Sequence, residues 1–286
     1  MPRPKGKKTK PVRDVVVVSD LHCGCLLGLC PADGVQREEG GRYEPSDIQK
    51  TVWSYWEEFW NSWVPHIVGG RPYSVVINGD SLDGCHHAGV HQITANLTAQ
   101  SLIAKTILAP VAEKARENGG EFYMIRGTEA HVGPSGQQEE ALARELGAKP
   151  NKVGQHARYD LWLRIGGGLA HILHHIGTTG SQAYEATAVC KELAEEMMES
   201  ARWGHRPPDC IVRSHRHRMY LTEMPAARGN AFAVVTPAWQ AKTPFVWKIP
   251  GGRLSTPQFG GIIIKEGEGG LDHCHKVWTI ERSEVE

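Results

Sequence analysis

The chain has 286 residues, 40% of them hydrophobic, and Lys+Arg 32 balance Asp+Glu 32 to give zero formal net charge. That length suits one large domain or two small ones, and the neutral balance offers no bulk attraction for nucleic acid. Seven cysteines, an odd number without a C-x-x-C pair, argue against a disulfide framework and for a reducing, cytoplasmic setting. No apolar run is long enough to span a bilayer.

In chain order, Arg3, Lys5, Lys7, Lys8, Lys10 and Arg13 precede the first acid, Asp14. Residues 1–13 read as a solvated, disordered tail, with a phosphate-binding arm as the less favoured meaning; no apolar core or cleavage pattern marks a secretory signal. Residues 14–286 read as a single domain. The run 15–18 predicts a strand buried on both faces, and it ends in Asp20 and His22. Ser46 and Gln49 form a capping box that opens a helix to about residue 63. On that helix Trp53, Trp56, Trp60 and Trp63 make one stripe, assigned to packing on a sheet in preference to base stacking.

A second strand, 74–77, leads to Asp80 and Asp83, with His86, His87 and His91 beyond as possible pocket lining. Residues 94–117 predict a helix around a kink at Pro110. Strand 122–125 leads to Thr128, Glu129 and His131, and a second capping box at Ser135 and Gln138 opens a helix ending near Gly147. Strand 169–173 runs into His174 and His175 and then a glycine-rich turn, 177–180, whose amides suit a phosphate. A helix over 182–201 precedes strand 211–212, which carries His215 and His217. Four more strands follow, at 231–235, 245–249, 261–264 and 277–280.

Strands alternating with helices predict an α/β fold, and such folds gather ligand groups at the carboxyl ends of strands. All five histidine- and aspartate-bearing blocks sit at such ends, so they converge on one site. Carboxylates and neutral imidazoles without paired thiolates suit two divalent ions, with zinc, manganese and iron as candidates.

The blocks resemble the calcineurin-like metallophosphoesterase superfamily, whose signature is D-x-H, G-D-x-x-D, G-N-H-[DE], H and G-H-x-H. The resemblance covers residues 15–218. D-x-H is intact at Asp20 and His22, and G-D-x-x-D-G is intact from Gly79 to Gly84. Ser214 stands where glycine is usual, and Gly127-Thr128-Glu129-Ala130-His131 replaces the Gly-Asn-His block.

The resemblance implies two packed mixed β-sheets flanked by helices, and a hydrolase of phosphomonoesters or phosphodiesters that uses a metal-bound hydroxide. It implies that Asp20, His22 and His217 hold one ion, that Asp80 bridges, and that His174 and His215 complete the second. His174 is preferred to the adjacent His175 because it directly follows the strand, and His171 reads as structural. Asp83 is implied to orient a ligand histidine. Thr128 or Glu129 takes the asparagine slot, and His131 is the candidate general acid. The expected partner is a phosphate-ester substrate, with no membrane and an open oligomeric state. Two alternatives stand beside this reading: a nuclease like the Mre11-type DNA-repair exonucleases, and a non-catalytic protein-binding scaffold of the same fold.

Overall fold

The computed structural model describes residues 12–85, 90–133, 135–177, 181–249 and 251–280. The basic segment up to residue 11, His86, His87 and residues 178–180 lie outside them. Val12 and Arg13, assigned above to the tail, are tied down: their carbonyls accept from the amides of Gly166 and Glu266 at 3.0 and 2.9 Å.

The strands are β1 (Asp14–Val18), β2 (Val35–Gln36), β3 (Arg42–Tyr43), β4 (Tyr73–Asn78), β5 (Phe122–Ile125), β6 (Ala157–Arg158), β7 (Asp160–Ile165), β8 (Gly168–Leu173), β9 (Cys210–Arg213), β10 (Tyr220–Ala226), β11 (Gly229–Val235), β12 (Gln258–Gly267) and β13 (Gly270–Thr279). The helices are α1 (Asp47–Glu58), α2 (Val64–Val68), α3 (Leu97–Glu117), α4 (Glu129–Val132), α5 (Gln137–Glu145) and α6 (Glu185–Arg202).

Six strands form one sheet in the order β13-β12-β1-β4-β5-β6, and five form a second in the order β10-β11-β9-β8-β7. In the first, β1, β4, β5 and β6 run parallel; in the second, β8, β9 and β11 do. The sheets pack face to face, so this is the expected pair of mixed sheets flanked by helices.

Period-2 alternation assigns each side chain of β1 to a layer. Val15 and Val17 face the second sheet, among Ile172, Val212 and Val234. Val16 and Val18 face the helices, among Phe59, Ile103 and Trp239. Because both faces are covered, all four valines are fully buried, each contributing about 1.5–3 kcal/mol. The far face of the second sheet packs α6 through Val189 and Leu193 against Ile211, Ala233 and Val235.

The capping box at Ser46 and Gln49 forms as expected. The helix does not stop near residue 63: a π-helical turn, Phe59–Trp63, passes it into α2, which ends at left-handed Gly69. Pro65 lacks an amide hydrogen, and the wider turn accommodates the missing bond. Trp56 and Trp60 are buried in the core between helix and sheet, with Trp56 edge-on to Trp239. That is the packing role predicted for the stripe.

Two further expectations fail. Residues 245–249 form turns and not a strand, because Pro244 and Pro250 bracket them and neither can donate to a ladder. The capping box at Ser135 does not form. Gly136 caps α5, and the next acidic residue, Glu139, turns inward. Strands β7 and β10, which hairpin onto β8 and β11, escaped notice because their side chains are largely half-exposed.

Candidate metal centre

All five blocks sit just beyond the carboxyl ends of parallel strands: β1, β4 and β5 in one sheet, β8 and β9 in the other. Buried hydroxyls tie these ends together. Thr236 Oγ1 lies 2.7 Å from both Ser19 Oγ and Ser214 Oγ, and Asn78 Nδ2 donates to Ser214 Oγ at 2.7 Å and to Leu173 O at 3.1 Å. Ser214, in place of the usual glycine, thus supplies a link between the sheets.

Among the described residues, five that are not glycine have positive φ: Asp20 (54°), His22 (46°), Asp80 (50°), His215 (69°) and His217 (55°). Each such residue costs roughly 1–2 kcal/mol of backbone strain. All five were singled out above as metal ligands, and strain of this kind concentrates where side chains must be aimed.

The aiming produces three overlapping groups whose potential ligand atoms lie within 4.8 Å of one another: Asp20 with His22 and His217, Asp80 with His174 and His215, and His22 with Asp80 and His131. His22 Nε2 is 3.2 Å from His217 Nε2, His217 Nε2 is 3.1 Å from Asp20 Oδ1, and His174 Nε2 is 3.0 Å from Asp80 Oδ2. Ligands on a tetrahedral ion with bonds of about 2.0–2.1 Å stand roughly 3.3 Å apart. The observed separations match that spacing. Asp20 Oδ1 is buried, has no hydrogen-bond partner and stands 3.1 Å from His217 Nε2. The donor set therefore fits divalent ions.

Close backbone approach at two glycines permits this packing. A Cβ on Gly127 would stand 2.0 Å from Asp80 Oδ1, and one on Gly79 would stand 2.4 Å from His174 Nδ1.

Supporting hydrogen bonds set the tautomers. His174 Nδ1 donates to Asn78 O at 2.6 Å, leaving Nε2 facing the carboxylates. His131 Nδ1 donates to Asp83 O at 2.6 Å, which puts its Nε2 3.9 Å from Asp80 Oδ2. Asp83 Oδ1 lies 3.3 Å from His22 Nδ1 and accepts from Gln240 Nε2 at 3.2 Å, while Gln92 holds its other oxygen at 3.0 Å.

The electrostatics are those of a cation site. Burial, and next the charge of His131, push His22 down to about 4, which keeps it the neutral imidazole that metals bind. Burial alone would push His174 down as well, but Asp80 and Asp20 reverse this and raise it to about 10. Burial opposes ionisation of Asp80, yet His174 holds it well below the usual carboxylate range. The two carboxylates thus favour positive charge at this position.

The remaining candidates fall outside these groups. Thr128 acts on Asp80: its amide donates to Oδ1 at 2.7 Å and its hydroxyl lies 3.2 and 3.3 Å from the two oxygens. Glu129 is exposed on the first turn of α4 and joins none of the three groups. His175 is exposed, its ring centroid 5.2 Å from that of His174 and 5.7 Å from that of His215. His171 stacks on Trp162 at 4.2 Å, away from the cluster.

Glu139 went unnoticed in the sequence. It is fully buried and accepts from the amides of Ser81 and Gly127 at 3.0 and 2.7 Å, joining the second and third blocks. Burial and then Asp80 push it up to about 7. A carboxylate on the same helix face as Leu142 and Ala143 was the available signal. Gln240 and Gln92, which hold Asp83, carried none.

The centre floors a cleft of about 540 Å³. Its opposite wall is the segment after β11, contributing Phe245, Val246 and Ile249, with Arg216, Arg218 and Lys242 also lining it.

No family model matches this chain, and no curated protein matches it in sequence. Solved structures do match in shape. A hypothetical protein from Thermus thermophilus aligns with TM-score 0.41 and 12% identity over 93% of this chain and 99% of that one. Vps29 of Chaetomium thermophilum aligns with TM-score 0.36 and 11% identity over 94% and 97%. Vacuolar Protein Sorting 29 from Cryptosporidium parvum aligns with TM-score 0.35 and 10% identity over 95% and 100%. No helix among the described residues is long and apolar enough to cross a membrane.

Proposed function

We propose that the chain is a metal-dependent phosphoesterase of the calcineurin-like type, hydrolysing phosphomonoesters or phosphodiesters at a dinuclear centre. One observation carries this reading: three His and carboxylate groups overlap through His22 and Asp80, and five of their seven residues are held on left-handed backbone. In the proposal Asp20, His22 and His217 hold one ion, His174 and His215 the other, and Asp80 both. Two divalent ions there would clamp phosphoryl oxygens and lower the pKa of water.

The chain's own groups do the rest. Asp83 Oδ1 stands 3.3 Å from His22 Nδ1, where an outer carboxylate would orient a ligand histidine. The amide and hydroxyl of Thr128 fix the Asp80 carboxylate, which gives the altered third block a supporting role toward ions that Asp80 would hold. His131 keeps Nδ1 on the Asp83 carbonyl, so Nε2 is the atom that presents a proton to the departing oxygen.

The test is metal stoichiometry together with turnover of bis(p-nitrophenyl) phosphate after loading with manganese or zinc. Two ions per chain and measurable turnover are expected. Asp80→Asn should lower both metal affinity and rate by more than the 10–100-fold typical of losing a merely supporting residue. Unchanged turnover in Asp80→Asn, or a protein that binds metal and hydrolyses nothing, refutes the reading; the second outcome favours a scaffold.

A further inference from the structure

We infer that the substrate carries a second phosphate beside the one that is cleaved, and that Arg216 and Arg218 seat it. The inference rests on the phosphoesterase reading and adds the substrate class. Candidate ligand and cation alternate along His215-Arg216-His217-Arg218, and all four residues line the cleft over the metal centre. The cleft, about 540 Å³, falls in the range that encloses a small organic ligand, well beyond one phosphoryl group.

The two guanidinium groups are buried and short of partners. The Arg216 side chain is 6% exposed and that of Arg218 15%. Arg216 donates through Nη2 to Gly177 O. Arg218 donates to Glu185 Oε1 at 3.1 Å and to Gly251 O at 3.3 Å. Three further buried donors, Nε and Nη1 of Arg216 and Nε of Arg218, reach no hydrogen-bond partner among the described residues. A buried donor left unpaired is costly, and more so when it carries charge. Water would satisfy the donors and leave the charge. A phosphate oxyanion answers both, because it accepts from adjacent guanidinium donors.

Charge points the same way. Glu185 is the carboxylate that both arginines face, 3.7 Å from Arg216 Nη1 and 3.1 Å from Arg218 Nη2. It stands in the first turn of α6, where the helix dipole already offsets part of its charge. Glu192, the other acid acting on Arg216, is paired with Arg213. Lys242 brings a third cation to the cleft, and apart from Asp80 and Asp83 of the candidate metal centre no acid among the described residues lines it. The surface beside the centre is therefore positive, as a second anionic group requires. The reaction is unchanged: a water oxygen forms one P–O bond, one P–O ester bond breaks, a water proton passes to the departing oxygen, and the second phosphate stays intact.

Two measurements on the full chain test this. Calorimetric titration of inorganic phosphate into the chelator-treated protein reads the subsite without metal or turnover. One phosphate should bind per chain. Arg216→Lys and Arg218→Lys, which keep the charge and lose the planar fork, should each weaken it about tenfold or more. Arg164→Gln, which removes an exposed cation outside the cleft, should leave it unchanged.

Kinetics on the metal-loaded protein compare the 5′-(p-nitrophenyl) esters of thymidine 5′-phosphate and thymidine 3′,5′-bisphosphate, which share a leaving group and differ by one phosphate. The p-nitrophenyl ester of thymidine 5′-diphosphate places the second phosphate in a pyrophosphate link instead. One of the doubly phosphorylated esters should exceed the first in kcat/KM by about tenfold or more, which tells a phosphate across a sugar from a pyrophosphate. Either arginine variant should shrink that advantage. Failure of phosphate to bind, as expected if water fills the site, binding unmoved by both arginine variants, or no advantage for either doubly phosphorylated ester would overturn the inference. Loss of all turnover together with failure to bind metal instead sinks the phosphoesterase reading, and the phosphate titration still decides the subsite.

Discussion

Left-handed backbone at five candidate metal ligands makes a stability prediction whose sign is opposite to the usual one. His215 has φ 69°, and a residue with a Cβ in that region costs about 1–2 kcal/mol relative to glycine. Glycine in turn loses about 0.4–1 kcal/mol through the extra freedom of the unfolded chain. Subtraction leaves His215→Gly more stable than His215→Ala by about 0.5–1 kcal/mol in the metal-free protein. Both variants lose the same ring, whose centroid lies 5.4 Å from that of His174 and 5.7 Å from that of His175, so packing cancels in the comparison. At helical positions the order is reversed: Glu113→Gly on exposed α3 should be less stable than Glu113→Ala by about 1 kcal/mol. Urea unfolding in the presence of a chelator, followed by the fluorescence of nine tryptophans, resolves such differences as a shift in midpoint at constant slope. If His215→Ala equals or exceeds His215→Gly in stability, the site is unstrained, and the argument that backbone strain serves to aim ligands fails.

Three further outcomes are expected. His174→Ala should weaken binding at the second ion much more than His175→Ala, because His174 Nε2 is 3.0 Å from Asp80 while His175 is exposed; the reverse order in a metal titration moves the ligand to His175. His131→Ala should slow poor leaving groups by roughly 10²–10⁴-fold and p-nitrophenolate far less, with metal content intact; equal losses with lost metal would make His131 a ligand, as its place in the third group allows. Burial, and then the Arg213 charge, push His171 down to about 3, and Glu196 at 3.2 Å does not reverse this. The unfolded chain then binds the extra proton below about 6.5, so stability falls as pH drops from there towards 3. His171→Phe, which keeps the stack on Trp162, should flatten that dependence in unfolding at pH 7 against pH 5; an unchanged slope would assign the acid sensitivity elsewhere.

Local chemistry was enough to place the strands that matter. The valine run of β1 and the apolar runs of β4, β5, β8 and β9 read directly, because strands buried on both faces show continuous hydrophobicity. The same runs pointed to Asp20, His22, Asp80, His174, His215 and His217, since each group follows a strand end. Ser46 and Gln49 announced α1 because a capping box is a contact between near neighbours in sequence.

What lay beyond the sequence was decided between distant segments. Thr128 and Glu129 compete for one slot on paper, but a short helix beginning at Glu129 turns that carboxylate to solvent and leaves the Thr128 amide and hydroxyl on Asp80. Glu139 is a buried brace because only tertiary packing brings the amides of Ser81 and Gly127 to its two oxygens. Aspartate and histidine enter the left-handed region more readily than most side chains but still at a cost, so five such conformations gathered at one candidate site are imposed by the surrounding fold. Residues 245–249 are apolar at four of five positions, as in a strand, yet Pro244 and Pro250 deny them a ladder, and Phe245, Val246 and Ile249 line the cleft instead. Sequence thus determined which groups stand at strand ends, a property of local periodicity. Only the stacking of two sheets decided which of those groups meet, because the distances that define the candidate metal centre join residues up to 197 positions apart.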